Sequence, residues 1–115
     1  TTQKQPERIR AARDLTFLRR TRGGHQIPLS CLRLGTARVL HMPGELFVEY
    51  QLAAQQIRPD YFIAMAAYGD YGTGYIGTEI AYSQGGYETG IVSRVAPQVE
   101  KVLMDAIKKL LSNQP

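Results

Sequence analysis

The sequence runs to 115 residues and 12.8 kDa with 43% apolar and 21% charged residues, the size and balance of one ordinary globular domain, too short to hold a multidomain enzyme. Such a domain buries about two-thirds of the surface its unfolded chain exposes. A core therefore needs no structural metal, and one cysteine, Cys31, excludes a disulfide scaffold. The formal charge of +4 belongs to one end, because residues 1–22 hold seven basic and two acidic side chains while the rest hold seven and eight.

Residues 6–20 read as a helix. Pro6 suits a first turn, where a missing N–H costs nothing, and Glu7 suits the dipole there. Ile9, Ala12, Leu15 and Leu18 recur at helical spacing as one apolar stripe, and Gly23-Gly24 stops the element. Residues 27–34 and 37–42 are β-like runs around Gly35-Thr36, which predicts a hairpin. Residues 45–57 switch to helical period, with Leu46, Tyr50, Ala53 and Ile57 on one stripe, Phe47 and Ala54 beside it, and Pro59 beyond the end.

Residues 61–67 are a near-continuous apolar run, the pattern of a central strand covered on both faces. Residues 69–90 hold seven glycines and four tyrosines, with Tyr68 just before them, so they read as loop, with a short helix over 78–84. Residues 97–111 close the chain as a helix, with Val99, Leu103, Ala106 and Leu110 inward. The expected fold is a single α/β domain over residues 1–115, in the order α-β-β-α-β-loop-α, with helices packed on a small mixed sheet. No run approaches the roughly 20 apolar residues of a membrane helix, and residues 1–13 show no signal peptide. The compartment stays open.

Several patterns resemble sites by spelling alone. Gly72-Thr73-Gly74-Tyr75-Ile76-Gly77 spells a dinucleotide-binding turn, but too few residues separate it from Gly85-Gly86 for a full helix to face a pyrophosphate. It reads as a glycine-rich turn. The arginines of the basic helix are spread around it with Glu7 and Asp14 among them, which points to a solvated face or a partner-packing face, not to nucleic acid. His25 reads as a loop residue, Cys31 as a buried small hydrophobe, and His41 as a structural histidine at a strand end.

The third constellation is chemical. Pro43-Gly44-Glu45 places a carboxylate at the end of one strand, and Tyr75 follows the next. If the two strands run parallel as neighbours, both oxygens reach one edge of the sheet, where a metal would hold them together. Spacing alone leaves the plainer alternative preferred: Glu45 serves a helix N-terminus and Tyr75 packs.

The ordered series Pro43-Gly44-Glu45, then Gly74-Tyr75-Ile76-Gly77-Thr78, then Tyr82 and Tyr87-Glu88, over roughly residues 27–110, resembles the last part of the catalytic domain of neutral ceramidases. It looks closest to the bacterial neutral/alkaline non-lysosomal ceramidase-like proteins. That resemblance implies a zinc-dependent amide hydrolase in which two histidines from an earlier part of the chain join the Pro-Gly-Glu glutamate and the Tyr-Ile/Val-x-Thr tyrosine at the metal. These fall on Glu45 and Tyr75, with Tyr75 also catalytic and with His41, Asp70, Tyr71 and Thr78 lining the site. Leu46-Phe47 and Gly69-Asp70 depart from the family's usual neighbours at those points.

The implied reading is therefore a C-terminal fragment that carries half a site, inactive alone and holding zinc only weakly. Its partners would be the remainder of the parent catalytic domain and an amide or lipid-like substrate, with the oligomeric state open. An alternative is a non-catalytic ligand-binding or interaction module that uses the Gly/Tyr loop.

Overall fold

The chain order is α1 (Lys4–Arg22), β1 (Ser30–Leu34), β2 (Ala37–Pro43), β3 (Glu45–Leu46), α2 (Val48–Ile57), β4 (Phe62–Gly69), β5 (Tyr75–Ile76), α3 (Glu79–Gln84) and α4 (Val99–Ser112). It is seen in a computed structural model that describes residues 4–69 and 73–112. The expected α/β class holds. Strand β1 turns back on β2 through Gly35-Thr36 to pair antiparallel, and β2 pairs parallel with β4, giving a mixed sheet of order β1-β2-β4. Strands β3 and β5 form a second, two-stranded parallel pair.

One face of the three-stranded sheet carries the core. Leu40 and Met42 of β2 and Ile63 of β4 meet Tyr50 and Ala54 of α2, Ile76 of β5, and Leu103, Ile107 and Leu111 of α4. Helix α4 buries one side chain per turn along 103, 107 and 111, so the stripe is rotated from the expected one. Val99, Ala106 and Leu110 lie half-buried at its margins. Arg58, just past α2, ties the layer together. Its guanidinium grips Asp60 at 2.7 Å and donates to the Leu111 carbonyl at 2.8 Å, satisfying an orphan acceptor at the end of α4. The Tyr61 ring lies between Arg58 and Arg38, 4.1 and 3.9 Å from its centroid.

Two expectations need correction. Strand β4 is an edge strand covered on one face only; Phe62 is 73% exposed and Leu34 of β1 59%, and with Leu32 they leave the other face of the sheet bare. A continuous apolar run cannot distinguish a strand covered twice from one awaiting a second cover. Residues 45–47 are not helical. Their backbone is spent on β5, Glu45 N–H donating to Gly74 O at 2.9 Å and Phe47 N–H to Ile76 O at 3.0 Å, so α2 starts at Val48. The stripe of Ile9, Ala12, Leu15 and Leu18 is exposed throughout, and α1 buries no residue. It meets the body through Arg94, which pairs with Asp14 at 2.9 Å and stands 5.9 Å from the Phe17 ring. Among the described residues no helix is long and apolar enough to cross a membrane.

Candidate functional site

Two glycines bring the site together. Gly44 and Gly74 have φ of +63° and +75°, the left-handed region that L side chains avoid. A Cβ on Gly44 would stand 2.6 Å from the Gly74 carbonyl oxygen, and one on Gly74 only 2.0 Å from that of Val92. Backbone therefore packs on backbone at both points. The short β3 and β5 lie side by side as a result, with Glu45 opposite Tyr75 and Leu46 opposite Ile76. Ile76 enters the core, while Glu45 and Tyr75 are half-buried.

The carboxylate acts on the phenol opposite it. The Tyr75 phenol is pushed above its ordinary pKa, first by a side-chain hydrogen bond to the Glu45 carboxylate, then by desolvation and by the charge of Glu45. A second phenol reaches the same carboxylate, since Tyr68 donates to Glu45 Oε1 at 3.2 Å and is likewise raised, mainly by that bond. A carboxylate favours the neutral form of a phenol that donates to it, because ionising the phenol removes the proton and sets two negative charges together. Among the described residues the ion pairs are Arg58–Asp60, Arg94–Asp14 and Lys101–Asp105, and none neutralises Glu45.

The surrounding loop is braced from both sides. Tyr87 sets its ring edge-on to Tyr75, centroids 6.0 Å apart at 74°. Gly77 is clamped through its backbone: the Tyr50 hydroxyl donates to its carbonyl at 2.9 Å, and its N–H donates to the Tyr82 hydroxyl at 3.3 Å. Tyr82 is held in turn by Ser93 Oγ at 2.9 Å. Burial pushes the Tyr50 phenol far above its ordinary value, with smaller contributions from nearby negative groups. Among the described residues Thr73 Oγ1 is buried without a hydrogen-bond partner, and a Cβ on Gly44 would stand 3.0 Å from it.

Glu45 and Tyr75 are thus brought together, as parallel neighbouring strands require. His41 is exposed on β2, where its Nδ1 meets Ser30 Oγ of β1 at 3.3 Å. Thr78 precedes α3 without a side-chain cap bond and lines a hollow of Glu49, Ala53 and Ser83. Asp70 and Tyr71 lie outside the described residues. Sequence reading did not foresee Tyr68 at this carboxylate. It named Tyr87 within a motif series without placing it against Tyr75.

As a metal site the corner is incomplete. Among the described residues no three His, Cys, Asp or Glu side chains gather to hold an ion. One carboxylate and a phenol fit the oxygen part of a divalent site, whereas zinc takes three or four protein ligands, with His or Cys prominent among them.

No protein family and no curated protein gives a match to this sequence. Among solved structures the chain is similar to a ceramidase complexed with C2, at 19% identity and a TM-score of 0.62 over 73% of this chain. The match spans 14% of that ceramidase's chain. At this identity the likeness is one of fold, and over the matched part the fold is ceramidase-like.

Proposed function

We propose that the chain supplies the oxygen-donor part of a zinc site in a ceramidase-like amide hydrolase, with Glu45 and Tyr75 as its ligands and Tyr75 as its catalytic group. The observation that carries the reading is the register of β3 on β5, which sets the Glu45 carboxylate against the Tyr75 phenol. Zinc bound there would activate a water and polarise an amide carbonyl. The chain's own part is to anchor and orient. Glu45 offers a carboxylate directly opposite Tyr75, and the Tyr75 phenol oxygen would complete the oxygen-donor pair beside the reacting carbonyl.

The partner in this reading is the remainder of a catalytic domain, bringing histidines and an apolar layer. The bare sheet face of Leu32, Leu34 and Phe62 supports it, because an apolar face of a mixed sheet is normally covered by a second layer. The same face favours a second reading, an interaction module without chemistry. Zinc titration separates them: weak binding by the chain, abolished in a Glu45→Gln, Tyr75→Phe double variant, is the expected result. Tight one-to-one binding that survives both substitutions overturns the site.

A further inference from the structure

Tyr68 is the one described residue other than glycine with a left-handed backbone, at φ +65°. An aromatic side chain is disfavoured there, and such strain persists only where the surroundings impose it. Its side chain is 71% exposed, so packing does not impose it. The local cause is a bulge. His41 pairs with Ala66, but the next partners are Pro43 and Gly69, so two steps along β2 face three along β4. An extra residue releases the strand from alternation and re-aims a side chain. The Tyr68 N–H donates to Gly44 O at 2.6 Å and its hydroxyl to Glu45 Oε1 at 3.2 Å. Bulge, strain and both hydrogen bonds converge on the Pro43-Gly44-Glu45 corner.

We infer that Tyr68 is a positioning residue that orients the Glu45 carboxylate, acting through its hydroxyl and not by touching substrate. The inference rests on the proposed function in one respect, the separation of roles between two phenols. Tyr75, opposite Glu45 on β5, is assigned to the metal, whereas Tyr68 reaches the Glu45 carboxylate from β4. An outer hydrogen bond of this kind fixes the direction of a ligating carboxylate, and its loss typically weakens metal binding by about 10- to 100-fold.

The test has a metal-free arm and a zinc arm. Side-chain three-bond couplings of Glu45, measured by NMR on the 115-residue chain, should report one rotamer in the wild type and in Tyr75→Phe, and averaging in Tyr68→Phe. An ordered Glu45 in Tyr68→Phe overturns the inference whatever zinc does. In the zinc arm, Tyr68→Phe should bind about 10-fold more weakly or worse with an unchanged melting midpoint, and Glu45→Gln should not bind. Zinc binding unaltered in both Glu45→Gln and Tyr75→Phe overturns the proposed function and leaves the rotamer result standing. Tyr68→Gly relieves the left-handed backbone, so its midpoint should equal or exceed the wild type while Glu45 averages. A lowered midpoint would mark Tyr68 as a packing residue and defeat the inference.

Discussion

Helices α1 and α4 both repeat apolar residues at helical spacing, but α1 carries arginines all round it whereas α4 keeps its apolar side chains to one side, and their roles differ completely. The 14 residues of α4 bury Leu103, Ile107 and Leu111 against the sheet, whereas the 19 residues of α1 bury none and expose Ile9, Leu15 and Leu18. The difference lies in the charge pattern and in the partner. Helix α4 has an apolar sheet face beneath it, with Arg58 bonded to its last turn; α1 meets the body mainly through one exposed ion pair and one ring contact. Helical spacing therefore reports the capacity to bury a stripe, and neighbours decide whether it is used.

Substitutions along this contrast should give a descending series, read by urea denaturation. Gly74→Ala should cost most, about 3 kcal/mol or more, because a Cβ 2.0 Å from the Val92 carbonyl oxygen must displace backbone at a left-handed residue. Ile107→Ala on α4 comes next at about 3 kcal/mol, a cavity at a fully buried position.

Tyr50→Phe should cost about 1 kcal/mol through the lost bond to Gly77. It also carries a pH signature. The folded state raises the Tyr50 pKa, so its contribution is complete below the ordinary phenol value and is lost as pH rises above that value toward the folded one. The variant should therefore lose less stability than the wild type between neutral and strongly alkaline pH. An equal alkaline loss in both proteins would mean that the Tyr50 phenol does not control that limb.

Leu15→Ala on α1 should have the smallest effect, within about 0.5 kcal/mol. A loss as large as that of Ile107→Ala would erase the contrast and require α1 to be buried in solution, for example against a second copy.

The bare sheet face and the Glu45 corner differ in a parallel way in how far local pattern foretold them. Glu45 and Tyr75 were legible as a pair conditional on parallel neighbouring strands, and β2 and β4 are such neighbours. Strand β5 was not legible, since two residues have no period to read. For that reason residues 45–47 looked like the start of a helix when their N–H groups belong to a ladder. Tyr68 was hidden because a bulge resets alternation, and a bulge is a relation between two strands that neither sequence segment contains.

The sequence by itself determined the α/β order, the extents of the longer helices to within a few residues, and the hairpin. These follow from local spacing, turn chemistry and chain order. Only the tertiary structure decided which stripe is buried, which strand lies at the edge, and that a strained Tyr68 joins Tyr75 on one carboxylate. Those outcomes depend on burial and hydrogen bonding between segments far apart in the chain, for which a local pattern records the possibility but not the partner.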